Sequence, residues 1–234
     1  MNDTPSISIL SAGAPKTGVR RCAEAWSTET GADFEVEFAT APRIRERVNA
    51  GDTDADIVVA PMPAMEGFVA AGKIVDGSVV PIGEIAAGVV VRNDAEDPDL
   101  SSAETLRDAL LAADRIVYNE ASSGQYIETM IDKLGIADAV AGKTVRVATG
   151  AAVMELLAAD GHARTIGFGQ VTEIRLHENL GVHLVGPLPA EIGKVTAYAA
   201  GLSADASEVD AAANLVGFIG SKRGRTIFAE TGVE

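Results

Sequence analysis

At four points a short apolar run ends in a turn of small residues and a helical pattern begins. These are Ser11-Ala12-Gly13-Ala14-Pro15-Lys16, Ala39-Thr40-Ala41-Pro42-Arg43, Ala121-Ser122-Ser123-Gly124 and Thr149-Gly150-Ala151-Ala152. Small side chains let a ligand approach the backbone, and the outward amides of a helix's first turn favour negative charge. The pattern therefore predicts a site for a small anion. In two of the turns a cation, Lys16 or Arg43, directly follows a proline, a residue pre-organised for the first helical position. A cation there opposes the helix dipole unless something anionic sits nearby. Arg43 can grip a carboxylate through two parallel N–H bonds, whereas Lys16 acts as a point charge. Each alone reads equally well as a solvated surface residue; the matching positions favour a ligand. Thr40, Ser122 and Ser123 can donate hydroxyls to an anion, although capping is the commoner use of such residues here.

Other chemistry is less well supplied. Cys22 falls on an apolar helical stripe and reads as a buried structural thiol. His162, His177 and His183 lack metal-ligand spacing, and no cysteine joins them, so neither a metal nor another cofactor is expected. Gly167-Phe168-Gly169 is not a dinucleotide fingerprint, and the chain has no GxxxxGK[ST] loop and no GxSxG elbow. Glu120, Glu155 and Glu173 lie near predicted turns and can serve as acid or base; a solvated carboxylate is the more ordinary reading.

The elements that must position these turns alternate. Ser6–Leu10, Phe34–Phe38 and Ile57–Ala60 read as strands, with helices over 17–30, 42–49 and 62–71 between and after them. Val19, Cys22, Ala23 and Trp26 give the first helix its stripe, and Gly31, Gly51 and Gly72 stand at the helix ends. Strands follow at 82–87, 89–92, 116–118, 145–147, 165–168, 182–185 and 195–200. Helices are expected at 102–112, 124–134, 151–159, 209–219 and 224–230, the first of these capped by Ser101 or Ser102. This alternation predicts an α/β fold of βαβ units with mostly parallel sheets. Apolar residues make up 47% of the 234 and aromatics only 4%, so Ala, Val, Ile and Leu must build the core, which suits strands buried on both faces.

The net charge of −15 argues against nucleic acid or an anionic membrane as partner, but leaves room for a small anionic ligand held by amides and a few local cations. No apolar run approaches the length that spans a bilayer. A single cysteine excludes an internal disulfide. The start, MNDTPSISILSAG, has no basic segment or cleavage site; it reads as a cytoplasmic protein as written, or as the mature form of an exported, periplasmic one.

The same turns resemble the molybdate-binding family of periplasmic solute-binding proteins. The resemblance runs through SAGAPKTG, FEVEFATAPRIRERVNAGDTDADIVVAP, IVYNEASSGQYIETMIDKLGI, TIGFGQVTEI, VHLVGPLPAEI and GFIGSKRGRTIFAETGVE. It implies a two-lobed type 2 periplasmic-binding fold: residues 1–84 and 196–234 in one lobe, 85–195 in the other, a sheet flanked by helices in each, and a ligand cleft between them. The implied ligand residues are Ser11, Gly13, Ala14, Lys16, Thr40, Ala41, Arg43, Ser122, Ser123, Tyr126, Gly150, Ala151 and Gln170. The implied partner of an exported form is an ABC permease.

Molybdate binders place hydroxyls in the first two turns and a tyrosine from the second lobe. The matching positions here are Ala14, Thr40-Ala41 and Gln170. Fewer hydroxyls and two added cations move the expected ligand from molybdate or tungstate towards an organic di- or tricarboxylate. The broad family also includes aconitate isomerase, so an isomerase of a small polycarboxylate is the alternative, with Glu120 and Glu173 as candidate bases. A ligand sensor without chemistry is a third reading.

Overall fold

A computed structural model describes residues 5–234. In chain order its elements are β1 (Ser6–Ala12), α1 (Lys16–Thr30), β2 (Asp33–Ala39), α2 (Ala41–Ala50), β3 (Ile57–Pro61), α3 (Met62–Ala70) and β4 (Val80–Arg92). Then come α4 (Ala103–Ala112), β5 (Arg115–Asn119), α5 (Ser122–Lys133), α6 (Ala137–Val140), β6 (Thr144–Val147), α7 (Gly150–Ala159), β7 (Thr165–Gln170) and α8 (Val171–Leu176). The chain closes with β8 (Val182–Pro187), β9 (Val195–Leu202), α9 (Val209–Gly220) and α10 (Lys222–Ala229). It divides into two compact units. One holds the residues up to Ile85 together with Thr196–Glu234, the other Ala86–Val195.

In the first unit, β1 pairs in parallel with both β2 and β3, and β9 runs antiparallel to β3. The register Ser6↔Asp33 to Ala12↔Ala39 brings the ends of β1 and β2 level, so the turns that follow emerge side by side. The α1 stripe is buried as its spacing predicts: Val19, Cys22 and Ala23 are 0% exposed. Gly31 ends the helix at φ +77°, a left-handed backbone that favours glycine.

Asp56, fully buried just before β3, ties the unit together. It accepts hydrogen bonds from the Ser8 amide (2.9 Å) and hydroxyl (2.9 Å), the Ser207 amide (2.7 Å) and hydroxyl (3.0 Å), and the Glu208 amide (3.1 Å). One carboxylate thus joins β1, β3 and the start of α9. That is how a buried charge is tolerated.

In the second unit, β5 lies parallel to β6 and β7, while β4 runs antiparallel to β7 and β8. All of β7 is buried. Its Gly167 and Gly169 face α7, where an added Cβ would meet Leu157 or Met154. Strand alternation then turns Ile166, Phe168 and Gln170 to the other face, where Phe168 packs with Ile127 and Met130 of α5.

Two expectations need correction. The runs 82–87 and 89–92 are one strand, because Gly88 does not break β4: a Cβ there would lie 3.0 Å from the Gly186 carbonyl, so glycine permits close pairing with β8. The sheets are also more mixed than a βαβ reading predicts, since β4, β8 and β9 all pair antiparallel.

Candidate functional site

Each unit offers one face at the carboxyl ends of its parallel strands, where open α/β sheets bind ligands. In the first unit β1 delivers the chain to Gly13 and α1 begins at Lys16. Pro15 is therefore the N-cap, at φ −85°, not the first helical residue. Ser11 is buried and donates its hydroxyl to the Ala12 carbonyl at 3.0 Å. A side chain at Gly13 would meet nothing within 4 Å, which keeps the backbone approachable beside Ala14.

At the second turn Thr40 occupies the N-cap position with extended backbone but makes no side-chain cap bond, and Ala41 opens α2. Pro42 takes the second helical position, again one residue off the expected place, because the helix starts a residue earlier. Arg43 is more than half exposed and donates to Glu46 at 2.7 Å. The anion that offsets its unfavourable place in the dipole is thus already present in the chain as Glu46.

In the second unit the turn after β5 is held by side-chain hydrogen bonds. Asn119 ends β5 with 3% exposure. Its Oδ1 accepts from the Ala121 amide at 2.8 Å and the Ser123 hydroxyl at 3.3 Å, while its Nδ2 donates to Ser123 Oγ at 3.2 Å. Such a side-chain-made turn aims the start of α5. Ala121 is the N-cap and supplies no side chain to the first-turn amides, so Ser122 and Ser123 are not caps. Gly124 is obligatory, since a Cβ would overlap the Asn119 carbonyl oxygen. The run Tyr118-Asn119 carried the signal for this turn in its Asx residue, and sequence reasoning passed over it.

The α7 start differs. Thr149 caps it, accepting from the Ala152 amide at 3.2 Å. A Cβ on Gly150 would come within 2.5 Å of the Glu173 carboxyl carbon, so that carboxylate lies against the helix's first residue and favours its dipole. The Glu173 carboxylate thus stands beside Gly150, in the turn expected to receive a ligand's anion.

Gln170 ends β7 at 6% exposure, and its Oε1 is buried with no hydrogen-bond partner among the described residues. The Tyr126 hydroxyl donates to the Ile192 carbonyl at 2.9 Å, and Lys194 Nζ stands 5.7 Å from the centre of its ring. Lys194 is a cation that sequence reasoning did not single out. Glu120 and Glu155 are exposed, while Glu173 is half-buried. Cys22 is no nucleophile: burial pushes its thiol up to about 12. Among the described residues no group of three or more His, Cys, Asp or Glu side chains is arranged to hold a metal ion, and no helix is long and apolar enough to cross a membrane.

The sequence matches the family model of the bacterial extracellular solute-binding proteins over residues 7–234. The chain belongs to that family. Among solved structures this solute-binding protein is similar to a periplasmic molybdate-binding protein from Azotobacter vinelandii, with a TM-score of 0.77 and 12% identity over 97% of this chain and 98% of that one. A sulfate-binding protein from Mycobacterium tuberculosis matches with a TM-score of 0.75 and 15% identity over 98% and 86%. These likenesses establish the type 2 periplasmic-binding fold that the resemblance implied. An aconitate isomerase from a Pseudomonas species is 24% identical over 235 residues, covering 98% of this chain and 87% of that enzyme.

Proposed function

We propose that this solute-binding protein holds a small organic di- or tricarboxylate at its helix-start turns. The observation that carries the reading is the start of α5, which Asn119 positions and no side chain caps; its outward amides and the hydroxyls of Ser122 and Ser123 suit one carboxylate. In the first unit, Lys16 at the first position of α1 and the Thr40–Ala41 turn likewise suit a carboxylate. Charges spaced along a carbon skeleton suit separated contacts better than one compact oxyanion does. Membership of an extracellular family supports a place outside the cytoplasm with an ABC permease as partner.

A thermal-shift panel of carboxylates and oxyanions tests this. A ligand at a hundred times its Kd stabilises by about 2.7 kcal/mol, which moves the midpoint of a chain this size by roughly 5–10 °C. Shifts from molybdate or tungstate alone would refute the carboxylate reading.

A second reading is isomerisation of a small polycarboxylate, supported by the 24% identical aconitate isomerase and by the half-buried Glu173 carboxylate at the same face. In that chemistry a base takes a proton from the carbon beside the double bond, the electron pair shifts through an enolate-like state held by helix-start amides, and the proton returns at the far carbon. Incubation with cis- or trans-aconitate, followed by chromatography, decides. Tight binding without interconversion removes aconitate isomerisation.

A further inference from the structure

Gln170 presents the described residues' unsatisfied buried side-chain acceptor: the residue is 6% exposed, and its Oε1 has no hydrogen-bond partner. Folded proteins rarely leave such an atom unpaired, because neither water nor protein then repays its desolvation. Its place is informative. Gln170 is the last residue of β7, opposite Ala87 in β4, on the sheet face shared by Phe168 and α5. It stands at the carboxyl end of a strand parallel to β5, the level at which the Asn119 turn launches α5.

A carbonyl oxygen can only accept, and an ionised carboxylate has nothing to donate to it. We infer that the ligand carries a hydroxyl beside its carboxylates, and that Gln170 selects it by accepting that hydrogen bond. An ammonium group would satisfy the acceptor too, but a buried charge needs an opposite charge, which a neutral amide does not provide. This inference rests on the carboxylate reading above and narrows it from carboxylates to hydroxy acids. Sites built to bond a hydroxyl reject the analogue lacking it, because their own polar group is then left unpaired.

Titration calorimetry with two matched pairs tests the inference: malate against succinate, and citrate against tricarballylate. In the wild-type protein the hydroxylated member of whichever pair binds should be tighter by roughly 10- to 100-fold, the usual cost of an unpaired buried acceptor expressed as affinity. Gln170→Met keeps the side chain's length and removes the acceptor; it should bring the ratio to within about threefold while raising thermal stability. Three outcomes overturn the inference and leave the carboxylate reading standing: wild-type ratios near one, a preference for the unhydroxylated acid, or a Gln170→Met protein with wild-type selectivity. Failure of all four acids to bind overturns both. The wild-type ratios decide the matter even where the variant does not fold.

Discussion

Gly124→Ala probes the joint between β5 and α5, on which the candidate site depends. A Cβ at Gly124 would overlap the Asn119 carbonyl oxygen and lie 2.6 Å from the carbonyl carbon and 3.0 Å from Asn119 Oδ1. Non-bonded heavy atoms rest about 3.5 Å apart, and the overlap with the carbonyl oxygen is the worst contact, so the first turn of α5 must retreat by roughly 2 Å. That retreat breaks the 2.8 Å bond from the Ala121 amide and loosens the Ser123 contacts at 3.2 and 3.3 Å. Asn119, at 3% exposure, then keeps buried polar atoms without partners, at about 1–3 kcal/mol. Overpacking against backbone adds about 1–3 kcal/mol.

The predicted loss is therefore roughly 2–6 kcal/mol, a fall of roughly 4–24 °C in the unfolding midpoint. Gly217→Ala is the control. Gly217 lies exposed within α9 with nothing within 4 Å of an added Cβ, so alanine should stabilise by about 0.5–1 kcal/mol. The same chemical change is predicted to act with opposite signs at the two positions. Differential scanning calorimetry reads both. Shifts of the same sign, or a Gly124→Ala loss below about 1 kcal/mol, would refute the steric reasoning.

Asp56→Ala strips one carboxylate from the donors of Ser8, Ser207 and Glu208 and should cost about 3–5 kcal/mol in urea unfolding; a loss under about 1 kcal/mol would contradict its role as a hub. Burial pushes the Asp56 carboxyl up, but the bonds from Ser8, Glu208 and Ser207 outweigh it and hold it below the ordinary range. A depressed carboxyl lends stability that is present above its unfolded value of about 3.9 and lost as pH falls through its folded value. The stability gap between wild type and Asp56→Asn should thus narrow only below about pH 4, and a gap constant from pH 7 to strong acid would refute this. Cys22, fully buried with its thiol pushed up to about 12, should resist a thiol-specific reagent in the native protein and react promptly in denaturant. Rapid native labelling would contradict that.

What the sequence made legible was local. The α1 stripe and the glycines at 31, 51 and 72 all behave as their spacing and position predict, with φ of +77°, +69° and +68°. Periodicity and helix-stop chemistry act within a few residues, so they survive folding unchanged. The family resemblance carried the fold, which no single stretch contains.

Partner identity was not legible. Thr40, Ser122 and Ser123 look like caps, yet none caps, whereas Thr149 does. Arg43 looked like an unbalanced cation, although Glu46 lies one helical turn on in the same sequence. Asn119 and Lys194 gained meaning only from what folding set against them, the first turn of α5 and the ring of Tyr126. The Glu173 carboxylate at Gly150 joins two elements twenty-odd positions apart, and no spacing rule predicts such a contact. The helix α8 went unnoticed because it is short and follows β7 without an intervening turn.

Titration of the best-bound carboxylate into wild type and Lys16→Ala, with molybdate as the comparison anion, tests the central claim most directly. The expected result is one ligand per chain, no comparable heat from molybdate, and affinity roughly tenfold or more weaker without the Lys16 charge, the scale of one charge-assisted hydrogen bond. Molybdate binding in place of any carboxylate, or a Kd unchanged in Lys16→Ala, would contradict it.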